Sequence, residues 1–366
     1  MAGQVTLTTP RPAALAPRST PTGPAVPESA GRWWLAAVLA LVGAVGAGLL
    51  TGPAGLPVRG IIGDVAGRIP LVHIHSGLSR TDRAILWQLR LPRVVLGGLV
   101  GWTLGAAGAA YQGVFRNPLA DPYLLGAAAG AGLGATVMIA YSPATSGWPA
   151  DAIPLAAFVG ALAAVGAAYA VGAVTDHHAS TATILLAGVA VAAFFTAVQT
   201  YIQQQHSQSL HQVYTWILGR LSTAGWHDVL LVLPYVAVSS VVLLGHRRLL
   251  DVLRVGDAEA ASLGVNTPRT RLVVVAAATL GTAAVVAVSG LIGFVGIIVP
   301  HAVRLTAGAS YRRVLPLSML AGASFLILAD ILARTIASPA EIPIGVVTAF
   351  FGAPFFMFVL RRRARS

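Results

Sequence analysis

Charged and polar side chains are scarce in this sequence, so each one stands out. Among 366 residues there are 24 basic and 12 acidic side chains, nine histidines and no cysteine. Every basic residue is arginine. Without cysteine there is no thiolate metal site and no disulfide. His73 and His75 are two apart, His177 and His178 are adjacent, and His206 and His211 are five apart, which misses the i, i+4 face of a helical metal pair. No carboxylate cluster lies beside them, so no metal is expected. There is no G-x-x-x-x-G-K-[ST] phosphate loop, and Gly308-Ala309-Ser310 continues into Tyr311-Arg312 rather than a G-x-S-x-G elbow. No catalytic residue is therefore expected, and the chain itself binds no cofactor. What remains are charges at the ends of apolar runs. Arg90 and Arg93 flank Leu91-Pro92. Asp330 and Arg334 are four apart and can pair on one helix face, with the acid N-terminal. An unpaired charge so far into an apolar run would be costly. Arginines at such positions can anchor to lipid headgroups, or they can receive the carboxylates of a partner.

The elements that must position these residues are apolar and long. The chain is 56% hydrophobic and 10% charged, with mean hydropathy +0.77. A soluble protein of this size could not cover its surface with so few charges, so a polytopic, all-α membrane protein is expected. Apolar runs at 33–52, 91–113, 122–141, 153–174, 182–203, 229–246, 272–289, 292–306, 314–334 and 343–360 predict about ten spans, of which the eighth is short for a bilayer. Residues 1–31 are rich in Pro, Thr, Ala and Ser and read as a disordered tail; residues 32–366 read as the membrane domain. With the tail in the cytoplasm, sixteen arginines fall inside and eight outside, in agreement with the positive-inside rule, and both termini are cytoplasmic. The net charge of +12 thus points to membrane topology and not to nucleic acid, because no basic stretch is interleaved with aromatics. Gly101 and Gly105, and Gly126, Gly130 and Gly134, repeat at four-residue spacing and predict close helix contacts within one bundle.

Four blocks of residues carry a resemblance. They are LRLPRVVLGGLVGWTLGAAGAAYQGVFRNPLADPYLLGAAAGAGLG at 89–134, DAEAASLGVNTPRTRL at 257–272, GLIGFVGIIVPHAVRLTAGASYRRVLPLSMLAGASFLILADILAR at 290–334, and EIPIGVVTAFFGAPFFMFVL at 341–360. In order and spacing they resemble the FecCD-type permease subunits of iron-siderophore, haem and vitamin B12 ABC importers, from about residue 33 to the end of the sequence. The resemblance implies a ten-helix permease of type II ABC importer architecture in the bacterial plasma membrane. It implies a second permease subunit, identical or homologous, two cytoplasmic ATPase subunits holding ATP and Mg, and an extracytoplasmic binding protein. The cargo it implies is a ferric siderophore, with haem or a cobalamin as alternatives.

By the same resemblance Arg90, Arg93 and Arg334 dock the binding protein, while Asp330 pairs with Arg334. In the loop at about 247–271, Asp257 at a helix start with Gly264 behind it predicts a short capped helix. The resemblance makes Gly256, Asp257, Glu259, Ala260, Leu263 and Gly264 the coupling element that enters the ATPase. It also makes the fifth and last spans line the pathway and places a short helix within 203–228 at the outer mouth; Phe194, Phe195 and Thr196 are then candidates for lining or gate positions, or else core or lipid-facing residues. Arg59, Arg68, Arg80, Arg83 and Arg220 have no assigned role. The competing reading, an ion-coupled secondary transporter, requires buried acids near mid-span, for which Asp330 is the main candidate.

Overall fold

The computed structural model describes residues 30–68, 77–141, 152–175 and 181–363. The expected tail up to residue 29, His73, His75, His177 and His178 lie outside the described residues. The helices are α1 (Ala30–Leu50), α2 (Val58–Ala66), α3 (Arg80–Ala84), α4 (Leu91–Val114), α5 (Ala127–Tyr141), α6 (Ala152–Thr175), α7 (Thr181–Gln205), α8 (Leu210–Ile217), α9 (Trp226–Leu253), α10 (Asp257–Ser262), α11 (Thr267–Ser289), α12 (Val295–Ala307), α13 (Tyr311–Thr335) and α14 (Ile344–Arg363). A π-helical turn, Ile85–Arg90, joins α3 to α4 in one continuous rod. Seven of these helices are long and apolar enough to cross a membrane, and α5, α12 and the apolar part of α14 are shorter. Together they match the ten expected spans. The short polar-side helices α2, α8 and α10 lie between them.

Helix α4 is the axis of the bundle. From Gly101 to Val114 every residue but Trp102 is buried. It crosses α13 so closely that a Cβ on Gly101 would lie 2.1 Å from the Gly322 carbonyl oxygen, and one on Gly105 would lie 2.3 Å from that of Ser318. The same device joins α5 to α6, where Gly130 faces Gly160 and Gly134 faces Ala156, each at 2.1 Å. Lipid tails are as apolar as leucine, so helices associate in a bilayer through close packing of small residues and not by excluding water. The glycine spacing in the sequence therefore serves the inside of one chain.

Helices α5 and α12 cover about 22 and 20 Å at 1.5 Å per residue, less than the ~30 Å hydrocarbon core. An irregular segment precedes each, 115–126 before α5 and 290–294 before α12. This departs from the expected spans, which began helically at 122 and 292. The two segments meet: the Tyr123 hydroxyl donates to the Ile292 carbonyl at 3.1 Å. Pro122 touches Gly296 level with Leu104 on α4, while Gln112 donates to the Gly296 carbonyl at 3.0 Å. Irregular backbone at this depth is stable only when buried in protein, and here the polar groups find partners there. Phe294 starts α12 at φ 68°, a strained value for a bulky residue. Its ring leaves no space for a side chain on Gly352 of α14, where a Cβ would lie 2.3 Å from Cγ.

Gly101→Ala is expected to lower the thermal stability of the detergent-solubilised chain by about 1–3 kcal/mol, because the clash is with backbone. Gly46→Ala, on a helix face with nothing within 4 Å, is expected to leave it unchanged or raised. Equal melting temperatures for the two variants would refute the close crossing.

Candidate functional site

Two clusters of charge lie at opposite ends of the bundle. The outer one begins at the end of α1. The last carbonyls of a helix have no partner in their own helix. Here arginines from two other helices supply the donors. Arg90 donates to the Leu49 carbonyl at 2.9 Å and to that of Ala54, and Arg334 donates to the Gly48 carbonyl at 3.0 Å. Cations also suit the negative end of the α1 dipole. Arg90 is 5% and Arg334 3% exposed. Both were expected to dock a binding protein; within this chain they donate to the α1 terminus.

Arg93 forms the centre of the cluster. It lies 2.8 Å from Asp330 and 2.7 Å from Glu341. Asp330 in turn is 3.4 Å from Nε of Arg334, on the same face of α13. Two arginines thus flank one buried acid. The α4 rod, α13 and the turn before α14 are held by a single network of Arg93, Arg334, Asp330 and Glu341. Arg93 keeps only a partly exposed edge, in a small cavity that it shares with Arg220, Thr215 and Glu341. The outermost arginines without an assigned role also find places. Arg83 pairs with Asp64 at 2.8 Å, and Trp87 Nε1 donates to the same carboxylate at 2.6 Å. Arg68 stacks over the Trp87 ring at 3.8 Å. Arg59, Arg80 and Arg220 are exposed.

The inner cluster is built on α10. Gly256 at φ 126° and Gly264 at φ 81° bracket the helix, both in backbone conformations that favour glycine. At its C-terminus the Gly264 N–H reaches the Ala261 carbonyl at 2.9 Å and the Val265 N–H reaches that of Ala260 at 3.1 Å, closing the last turn. Asp257 was expected to begin a capped helix. It occupies the first helical position, but its carboxylate does not cap: it accepts from Arg271 on α11 at 3.1 Å and from Arg116 at 3.5 Å. Ala260 is buried, whereas Glu259 and Leu263 are exposed, Leu263 by 68%. Asp251, at the end of α9, accepts from the Ser310 hydroxyl and the Tyr311 N–H, both at 2.7 Å, and so ties α10's base to the start of α13. Asp251 and Arg271 were not singled out from the sequence. The signal was weak, since Asp251 stands among Arg247, Arg248 and Arg254, and Arg271 is two residues from Arg269.

Of the expected gate residues, Phe194 is 65% exposed, Thr196 is exposed, and Phe195 packs against Ala164, Ala168 and Val191. A short helix, α8, lies within 203–228, where one was expected. Among the described residues no group of three His, Cys, Asp or Glu side chains could hold a metal.

Asp330→Asn is expected to lower the unfolding stability of the chain by about 3 kcal/mol, because it leaves two guanidiniums in a buried site short of an acceptor. Glu341→Gln, at a carboxylate side chain 32% exposed, is expected to cost under about 1 kcal/mol. Equal losses in thermal or denaturant unfolding would contradict the geometry.

A family model described as the FecCD transport family matches residues 37–362. The cobalamin import system permease protein BtuC of Halobacterium salinarum is 43% identical over 290 residues, covering 79% of this chain and 77% of that protein. The hemin transport system permease protein HmuU of Yersinia pestis is 38% identical, covering 76% of this chain and 84% of that protein. The Fe(3+) dicitrate transport system permease protein FecD of Escherichia coli is 36% identical, covering 76% and 85%. A solved structure of a metal-chelate type ABC transporter in an inward-facing conformation superposes with a TM-score of 0.79 at 27% identity, covering 91% of this chain and 99% of that one. Ten apolar helices, the α10 element and these likenesses agree: the chain is a multi-pass membrane permease that belongs to the FecCD transport family.

Proposed function

We propose that this chain is the membrane-spanning subunit of an ATP-driven importer that carries a ferric siderophore, haem or cobalamin into the cytoplasm by alternating access. The observation that carries the reading is α10, a six-residue helix between two positive-φ glycines that presents Ala258, Glu259, Ala261 and Leu263 outward. Small side chains beside one exposed leucine suit insertion into a cleft of a separate ATPase subunit. A push on α10 would reach α11 through Asp257 and Arg271, while Asp251 on α9, just before α10, bonds to the start of α13. That is a rigid route from the cytoplasmic face into the helices that touch α4. The catalytic chemistry belongs to the ATPase partners, with ATP and Mg bound there.

On the outer face, the edge of Arg93 and the exposed Arg220 offer cations to an acidic binding protein. Arg90 and Arg334 contribute indirectly, by fixing the end of α1. The exposed faces of α7 (Leu186, Phe194, Tyr201) and α14 (Phe350, Phe351, Met357) are the apolar surfaces on which a second permease subunit and the pathway between the two would form. The cargo class rests on the relatives, which are named for cobalamin, hemin and Fe(3+) dicitrate. With this arrangement both termini lie in the cytoplasm.

The test is uptake by the assembled complex in proteoliposomes, offered labelled ferric siderophore, haem and cobalamin with ATP inside. One cargo is expected to accumulate only when ATP is present. Accumulation driven by an ion gradient without ATP would overturn the reading. Gly264→Val puts a β-branched residue at φ 81°, at a cost of about 1–3 kcal/mol of backbone strain. It is expected to leave membrane insertion intact and abolish cargo-stimulated ATP hydrolysis.

A further inference from the structure

Helices α6 and α9 both pack on α11 but diverge from each other, leaving a groove on the side of the bundle. The Phe158 and Tyr235 rings meet across it, with centroids 5.3 Å apart, toward its outer end. Below that contact a cavity of about 550 Å³ runs toward the cytoplasm, lined by Leu162 and Gly166 of α6, Val242 of α9 and Leu272, Ala276 and Leu280 of α11. Its walls are apolar apart from Tyr169 and Thr279. Its size falls within the range of small-molecule sites. Leu272 is 53% exposed and Ala276 is exposed, so the groove is open sideways, to the bilayer.

The cytoplasmic mouth of the groove is basic. Arg269 precedes Leu272 and Val273 by three and four residues, which puts it on the same face of α11 one turn nearer the cytoplasm. It is exposed, and its guanidinium makes no ion pair or hydrogen bond among the described residues. His246 stands one turn beyond Val242 on the groove face of α9. The positive end of the α11 dipole lies at the same mouth. An apolar slot open to lipid, closed at its outer end and with the exposed Arg269 at its inner end, matches a phospholipid of the cytoplasmic leaflet: acyl chain in the slot, anionic headgroup at Arg269.

We propose that this groove binds an anionic phospholipid, with Arg269 as its principal headgroup contact. The site is next to the coupling element. Arg271, two residues on from Arg269, holds Asp257 of α10, and Asn266 caps α11 at the Arg269 N–H at 3.0 Å. A headgroup on Arg269 thereby bears on the helix start that anchors α10, whatever cargo the chain carries.

The absence of cysteine allows a clean test. The full chain carrying Ala276→Cys, labelled with bimane, is reconstituted in bilayers containing either phosphatidylglycerol or phosphatidylcholine brominated on the acyl chain. Quenching is expected with both, at about fivefold lower mole fraction for phosphatidylglycerol, as one arginine near an anionic surface implies. Adding Arg269→Gln is expected to remove that preference while quenching by phosphatidylcholine persists. Absence of quenching by either lipid, as when a second protein chain covers the groove, overturns the proposal. So does equal quenching by the two lipids with Arg269 in place, or a preference that survives Arg269→Gln. Because the readout is lipid contact in the unaltered bundle, it is independent of transport and of the function proposed above.

Discussion

In hydrocarbon no water is available to a carbonyl, an amide or a charge, so each must find its partner within the protein. The architecture of this chain follows from that constraint. Helix α1 ends where its last carbonyls can receive Arg90 and Arg334. Helices α5 and α12 can be too short to cross because the irregular segments before them bond to one another through Tyr123 and Ile292. Asp330 can lie buried because Arg93 and Arg334 both reach it. In these three places a residue from a distant part of the chain supplies the partner.

Such compensation requires the helices to stand close, and small residues provide the closeness. Gly101 and Gly105 let α4 meet α13 backbone to backbone; Gly108 does the same toward Gly296 of α12. A network such as Arg93, Asp330 and Glu341 can then span three elements with ordinary side-chain lengths. Packing and polar satisfaction are therefore one problem here. A bulky residue at Gly101 would separate the rods that bring Arg93 to Asp330.

The two faces use charge differently. At the outer face the arginines are mostly consumed: Arg90 and Arg334 on backbone, Arg93 on two carboxylates, Arg83 on Asp64. At the inner face Arg269 is exposed beside the groove and Leu263 projects from α10. The outer network is thus a fastening. The inner side keeps exposed surfaces, where the proposed ATPase and lipid contacts would form.

The number and order of the spans, the internal use of the glycine repeats and the short helix ending at Gly264 were all legible in the residues alone. Hydropathy, helical spacing and a glycine at a turn are local properties, read within one window of sequence. The fate of Arg90 and Arg334 was not legible. Each looks like any arginine at the mouth of a span, and the family resemblance placed both on the docking surface. Their partners are the carbonyls of Leu49, 41 residues away, and of Gly48, 286 residues away. A carbonyl has no side-chain identity to read. Only the folded bundle decides which helix end is left without donors and which guanidinium stands beside it, because that depends on where three separate helices end relative to one another.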